Sequence, residues 1–503
     1  MAVFDLLSSS LVTTLLGYSL VVILLVYLLI GLGSNSQLNY PPGPRPLPII
    51  GNLHQLDLKR LYKSLVELSE KYGTVYTVRL GPEKVVVLAG YQTVKNALIN
   101  HADEFLGRPD VPIMNILKEG SGVVWSNGEA WKQMRRFMLS TLRDFGMGKR
   151  SIEVKILEEA GFLVEKIRSY KEQPFNTDII TNFATANVIC SIVFGERFDY
   201  EDEAFLNIGN LVHESFRLLG SPMVQVYNAY PFLRFLPGSH KEICTHFKKL
   251  KTCLEDIIKA KHQELDKNDI RSFIDTYFMK QQEESGNPDT YFHEKNLLIT
   301  TSDLFIAGMG TAATTIRWAM FIMMKYPDIQ RKVQEEIDQV IGSERSPRME
   351  DRKHMPYTDA VIHEVQRFAN IAPLGIPRST TVDLNFQGYF FPKGTYVIPL
   401  LASVLYDKSQ WETPDEFNPG HFLDAAGKFV KRDAFIPFST GRRVCPGETL
   451  AKVELFLFFV TLLQKFDLLV PPGGTELDLT PVVGGILSPK PHQLCAVPHQ
   501  QPC

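Results

Sequence analysis

Cysteine is scarce. There are six in 503 residues, at 190, 244, 253, 445, 495 and 503, and no two form a C-x-x-C pair. That scatter excludes a disulfide-stapled scaffold and a structural zinc site, and it fits a reducing compartment. Positive charge is not in excess either. With 53 basic and 56 acidic residues the formal net charge is −3, so nucleic acid is not an expected partner. The chain also lacks a repeat of fixed period, a low-complexity tract and a long Ser/Gly linker. Apolar residues make up 45% and charged residues 22%, ordinary values that exclude a disordered chain and a polytopic transporter. About three domains would be allowed by length, but no linker divides the chain.

Charge is absent altogether from Leu6 to Pro44, and Leu11 to Ile30 is rich in Leu, Val and Ile. About 20 helical residues cross a bilayer core. A cleaved signal peptide would carry a basic start and a shorter apolar core, whereas the one early charge here is Asp5. Residues 1–38 therefore read as an uncleaved signal anchor and 39–503 as one globular domain. Basic residues begin only after the span, at Arg45, Lys59, Arg60 and Lys63, which places the domain in the cytosol. The proline-rich stretch Pro41 to Pro48 reads as a stiff spacer.

Beyond it, 74–90 alternates as two strands around Gly81-Pro82 and predicts a hairpin. Helical periodicity is clear at 155–170, 245–266, 327–341, 356–369 and 447–465. Strand-like pieces return near 384–400 and 467–497, and the tail from Pro498 to Cys503 reads as frayed. The fold class is mainly α with small β-sheets.

The most informative segment runs from Phe438 to Glu448, Phe-Ser-Thr-Gly-Arg-Arg-Val-Cys-Pro-Gly-Glu. Pro446 suits a first helical position and Glu448 a first turn, so Cys445 falls at a helix start. Free N–H groups, the helix dipole and nearby Arg442 and Arg443 all favour a thiolate there. A lone cysteine is often simply a buried loop residue. A nucleophile would need a paired histidine, and no such signature is present. A thiolate ligand to haem iron fits better, since thiolate donates electron density that promotes O–O cleavage.

This segment resembles the haem-binding loop of the cytochrome P450 superfamily, F-x-x-G-x-R-x-C-x-G, at Phe438, Gly441, Arg443, Cys445 and Gly447. The resemblance covers essentially the whole chain. It is nearest to the membrane-bound microsomal family 2 enzymes, and among them to a fish subfamily. It implies the P450 fold, haem b (iron protoporphyrin IX) with Cys445 as axial iron ligand, and an endoplasmic reticulum membrane location. It also implies NADPH–cytochrome P450 reductase and cytochrome b5 as electron donors.

Other positions follow from the same resemblance. Trp131 and Arg135 match W-x-x-x-R and share a helix face. With Arg378 and Arg443 they are expected to bind haem propionates. Glu364 and Arg367 match E-x-x-R, which taken alone is more often an exposed i, i+3 pair. His421 would be the third member of this structural network, where the superfamily often has Arg. The basic cluster Lys132, Arg135, Arg136, Arg143 and Arg442 reads either as a solvated face or as a docking patch for acidic donors. The substrate pocket is expected to involve Val111, Ile113, Phe205, Leu374, Ile376, Ile486 and Leu487, all apolar.

Gly308-x-Gly310-x-x-Ala313 matches a dinucleotide fingerprint and supports a competing reading, a nicotinamide-dependent membrane dehydrogenase. That motif needs a strand and an acidic residue downstream, and Tyr326-Pro327-Asp328 instead opens a charged helix. Read as one long helix, 303–320 puts Asp303, Ala307 and Thr311 on one face, and its glycines would permit close approach of a flat macrocycle. The superfamily has A-G-x-[D/E]-T here, matched at Ala307, Gly308 and Thr311, with Gly310 at the acidic position. The expected activity is monooxygenation of lipophilic small molecules such as fatty acids, steroids or xenobiotics. Thr311 is expected to aid proton delivery, through water or Asp303. A membrane-tethered haem sensor and a peroxide-using enzyme are the alternatives.

Overall fold

The computed structural model describes residues 11–22, 24–25, 39–474 and 476–500. The helices that matter for function are α1 (Gly128–Asp144), α2 (Thr177–Val193), α3 (Glu203–Leu219), α4 (Ser239–Gln263), α5 (Glu294–Lys325), α6 (Pro356–Ala369) and α7 (Glu448–Lys465). The strands are β1 (Val75–Leu80), β2 (Glu83–Leu88), β3 (Phe175–Asn176), β4 (Arg378–Ser379), β5 (Leu384–Phe386), β6 (Tyr389–Phe391), β7 (Tyr396–Pro399), β8 (Phe466–Leu469), β9 (Val482–Val483), β10 (Leu487–Ser488) and β11 (Gln493–Pro498). A mixed sheet has the order β1-β2-β7-β4, β3-β11-β8 form a second, and β5-β6 and β9-β10 are hairpin-like pairs. The predicted hairpin is β1-β2, paired from Val75↔Leu88 to Leu80↔Glu83, and β7 joins β2 in parallel.

The centre of the molecule is α5. It is apolar nearly all round and buried along most of its length, the signature of a core helix rather than a surface one. At about 1.5 Å per residue it crosses the whole domain, and α2 packs along it, with α7 and α6 beneath. Although α5 is long and apolar enough to cross a membrane, 72% of its apolar window is buried by protein. The Gly308–Ala313 motif lies inside this uninterrupted helix, with no strand before it, so the dinucleotide-loop reading is excluded. The predicted helices are all present. Proline opens α6 and the helix Pro327–Val340 at the first turn, where its missing N–H costs nothing. The helix Arg150–Arg168 begins earlier than expected because Ile152 extends its buried stripe. The tail expectation needs correction. Pro498 pairs with Phe466 in β11, and His499 is held between Asp467 and Asp338 at 2.6 and 3.5 Å. Positions 501–503 lie outside the described residues.

Glu364 and Arg367 are not a surface pair; both side chains are fully buried. The five N–H groups of Arg367 are all used. Nε and Nη2 donate to the two Glu364 carboxylate oxygens at 2.8 and 2.7 Å, and the others donate to the carbonyls of Leu405, Pro414 and Glu416 at 2.8–2.9 Å. His421 contributes as a neutral ring. The Thr413 N–H donates to its Nε2, so Nδ1 carries the proton and donates to Glu364 at 3.2 Å. The network ties α6 to the 405–421 segment leading to the Cys445 loop. Arg367→Lys leaves at least two buried carbonyls unpaired and breaks the fork–fork pair. It should cost about 3–5 kcal/mol, read as a lower denaturation midpoint in urea.

Candidate active site

Local backbone constraints set the Cys445 loop. Gly441 has φ +76, and a Cβ there would overlap the Leu98 carbonyl oxygen. The turn Gly441–Arg443 follows, and the Cys445 N–H then donates back to the Phe438 carbonyl at 3.1 Å. Helix α7 starts at Glu448 with Gly447 as its cap, so Cys445 sits just before the helix. The expected poised thiolate needs correction. Amides of Gly447 and Glu448 favour the anion, but burial outweighs them and raises the thiol pKa. The neighbouring arginines do not reverse this. Arg442 turns outward to Asp103 at 2.8 Å, and Arg443 faces Trp131 with its guanidinium 4.0 Å from the ring centroid. A coordinated metal would deprotonate the thiol outright. Among the described residues no group of three or more His, Cys, Asp or Glu could hold an ion. Iron on Cys445 must therefore bring its other ligands with it, as a macrocycle does.

The residues beside the loop fit such a group. Arg108, Arg378 and Arg443 are buried together and Arg135 beside them is half-buried. Among the described residues no carboxylate is a hydrogen-bonding or ion-pair partner of any of them. Arg135 Nη2 donates to the Val444 carbonyl at 2.6 Å. Arg443 donates to the carbonyls of Leu106 and Ser126 at 3.0 and 2.7 Å. Arg108 donates to the carbonyls of Val124 and Pro377 at 2.9 and 2.7 Å. Arg378 Nε, Arg443 Nη1 and Trp131 Nε1 are buried with no partner. Burial first, and then mutual repulsion, holds Arg378 and Arg443 down to about 9. Orphaned cationic donors at this density are costly unless an anion joins them. A dianionic macrocycle meets that need. Arg108 has no place in any motif read from the sequence.

On α5, Ala307 is exposed in an otherwise buried stretch and Thr311, one turn on, is part-exposed, so this face borders an open space. The Thr311 hydroxyl donates to the Ala307 carbonyl at 2.8 Å. Asp303 does not reach that space. Its carboxylate pairs with Lys118 at 2.7 Å and accepts from the amides of Val123 and Val124 at 2.8 and 3.0 Å. This corrects its expected catalytic part: it clamps the 118–124 loop to α5. The helix glycines do not face a macrocycle either. A Cβ on Gly308 would come 2.9 Å from Ile189 of α2, and one on Gly310 would come 2.7 Å from Phe216 of α3.

Of the pocket candidates, Val111 and Ile113 join an apolar cluster with Leu218, Val224 and Tyr227, against which Ile306 packs beside Ala307. Leu374 and Leu487 belong to a cluster on the sheet side, and the Leu487 carbonyl accepts from Trp318 at 3.1 Å. Ile486 is buried and Ile376 is 44% exposed. Phe205 is displaced from the expected role. It stacks on Phe198 at 4.9 Å in the main core, at the far end of α3.

The cytochrome P450 family model matches residues 41–496. The chain belongs to the cytochrome P450 family. It is 49% identical over 497 residues to cytochrome P450 2K1 of Oncorhynchus mykiss, covering 98% of each chain. It is 51% identical over 455 residues to cytochrome P450 2K6 of Danio rerio, covering 90% of each. Cytochrome P450 2B19 of Mus musculus is 48% identical over 454 residues, 90% of this chain and 92% of that one. The chain is thus a P450-type monooxygenase of family 2 affinity that uses haem.

Burial, and then the charge of Arg135, disfavour the Arg378 cation in the haem-free fold, and because a guanidinium keeps its proton that charge is a standing cost to the haem-free protein. Arg378→Met should raise the haem-free melting temperature and speed haem loss to an apomyoglobin trap.

Proposed function

We propose that the chain is an anchored haem-thiolate monooxygenase of the endoplasmic reticulum. It uses O2 and NADPH electrons to hydroxylate or epoxidise fatty acids, steroids or xenobiotics. Residues 1–38 are the anchor and 39–503 the single catalytic domain, which faces the cytosol. The observation that carries this reading is the set of buried, unpartnered cationic donors beside the Cys445 loop, together with the exposure of Ala307 and the part-exposure of Thr311 on an otherwise buried α5. Haem b, when bound, supplies an iron on which dioxygen is activated. Cys445 Sγ would hold that iron, and Trp131, Arg108, Arg135, Arg378 and Arg443 would hold the propionates. The apolar shell of Val111, Ile113 and Ile306 binds substrate by burial and excludes water. Thr311 Oγ1 holds a proton that it shares with the Ala307 carbonyl, and rotation would present it to the cavity.

The electron donors, NADPH–cytochrome P450 reductase and cytochrome b5, would dock over the Cys445 loop. A groove of about 880 Å³ there is bordered by Phe438 and Thr440 and by Lys95, Lys353, Lys431 and Lys452, with Asp359, Asp433 and Glu448 also on its wall and Glu448 paired with Lys452 at 2.6 Å. It adds to the expected basic cluster, in which Lys132 is already paired with Glu129 at 3.4 Å and Arg135 points inward, while Arg136 and Arg143 are exposed.

Cys445→Ser should lose the far-red-shifted Soret band of the reduced carbonyl complex; a variant that kept it would sink the ligand assignment. With Gly310 in place of an acid and Asp303 committed to Lys118, protons must reach Thr311 through water. Positioned proton transfer is worth roughly 10²–10⁴-fold, so product per NADPH should fall short of one in the parent and fall further in Thr311→Ala. Full coupling in the parent would show the acid to be dispensable. A peroxide-using enzyme would ignore both the reductase and Thr311→Ala.

Membrane contact beyond the anchor has a surface to carry it. The helix Leu11–Val22 is apolar and its side chains are exposed; the rest of the expected span lies outside the described residues. On the globular domain Phe232 and Phe235 are 69% and 67% exposed. The Tyr230 hydroxyl donates to the Ile49 carbonyl at 2.9 Å, placing them beside exposed Leu47, Ile49 and Ile50. Val224 and Tyr227, in the segment just before Tyr230, are core. Deleting 1–38 should leave residual vesicle binding that Phe232→Ser with Phe235→Ser removes; a truncated protein wholly soluble in low salt would refute the contact.

A further inference from the structure

We propose that Phe216 is a positioning residue that latches the C-terminal end of α3 over the Ala307–Thr311 face, and that residue 310 is glycine because this ring is seated on it. The inference rests on the reading of that face as the substrate cavity.

Three segments meet at Phe216, and at each the fit requires a missing side chain. A Cβ at Gly310 would lie 2.7 Å from Cε2 and 3.1 Å from Cδ2 of the ring. At the backbone, the Gly485 N–H donates to the Phe216 carbonyl at 2.5 Å. A Cβ on Gly484 would come 2.8 Å from that same oxygen, and one on Gly220 would run into the Gly484 backbone. The ring therefore binds α3 to α5, and the carbonyl binds α3 to the turn between β9 and β10. Methyl groups at Gly220 and Gly484 would push the segments apart, because they meet backbone atoms that cannot give way, whereas a methyl at Gly310 would meet the edge of the Phe216 ring and force that ring off its seat.

The two ends of α3 are held differently. At its start, Asp202 caps the Phe205 N–H at 2.8 Å and Phe205 stacks in the main core. At its end, Arg217 is exposed, Phe216 is only partly buried against the edge of the main core, and Leu218 belongs to the small cluster with Val111 and Ile113. Opening would thus pivot at Phe205 and swing the end that carries Phe216. Lifting the ring from Gly310 moves Leu218 and the apolar shell with it, one residue from Thr311. The space where an acidic side chain at 310 would sit is filled by a hydrocarbon ring, so the seat serves closure of the roof rather than proton supply.

The test uses full-length haem-loaded protein and the variants Gly310→Ala, Phe216→Ala and both together, with Phe216→Leu as a milder form. Amide hydrogen exchange is followed at 212–220 and 482–488, and 4-phenylimidazole dissociation is followed by its Soret shift. Each single variant should speed exchange in both segments by roughly tenfold and release the probe several-fold faster. The double variant should match Phe216→Ala, because a methyl at 310 then meets no ring. Parent-like exchange in Gly310→Ala, or additive effects in the double variant, would overturn the latch. Exchange reports on the latch alone, whereas a parent that gave no Soret shift with the probe would count against the cavity reading.

Discussion

Four guanidinium groups gathered in one buried place are the constraint around which the site is built. Arg108, Arg135, Arg378 and Arg443 come from four separate stretches, and among the described residues no carboxylate pairs with them. Each instead spends its donors on carbonyls, chiefly of the 106–127 region, Val444 and the 376–377 strand entry. Like charges in a low-dielectric interior repel strongly, so the haem-free fold carries a standing penalty that a dianion removes. Binding energy from an anion that met these cations would thus be folding energy, by the same linkage that makes any native-state ligand stabilising.

Asp303 belongs to that design at one remove. By holding the amides of Val123 and Val124 it fixes the loop whose next carbonyls, at Val124 and Ser126, receive Arg108 and Arg443. Lys118 supplies the countercharge that makes a buried carboxylate tolerable. The central helix therefore positions these buried cations through the loop rather than directly, and the 111–124 segment is tied to the same clamp.

These two findings mark what could be read from the chain and what could not. The Cys445 loop, the Glu364–Arg367 pair and the Trp131–Arg135 face are local patterns, and local spacing suffices to see them. Arg108 has no local pattern; its role exists only once Arg378 and Arg443 are folded beside it. Asp303 was correctly grouped with Ala307 and Thr311 by helical period, but a helix face is not one environment along its length. Here it passes from a loop clamp to an open cavity within one turn. The glycines of α5 were legible as points of close approach, yet the sequence could not say that the approaching groups are Ile189 and Phe216. Phe205 failed for the related reason that one helix, α3, runs from core to roof.

What remains polar on α5 near the cavity is a set of hydroxyls. Thr185 of α2 donates to the Met309 carbonyl at 2.9 Å, Thr311 to Ala307 at 2.8 Å and Thr315 to Thr311 at 2.9 Å. Each carbonyl so engaged is one that helix geometry already uses, and extra hydroxyl bonding of this kind loosens the helix ladder. The helix nonetheless stays continuous through residues 307–311, because Ile189 and Phe216 press on its two glycines from outside. Packing on one side and hydroxyl bonding on the other thus leave Thr311 with a single soft coordinate, rotation about its own χ1. In a helix threonine splits between two such rotamers, so the hydroxyl can exchange its Ala307 partner for water in the cavity without disturbing the backbone. On the proposed reading, a chain lacking the neighbouring acid would in this way still present a mobile proton at Thr311 Oγ1 while the closed seat of Ile189 and Phe216 keeps the helix turn in place.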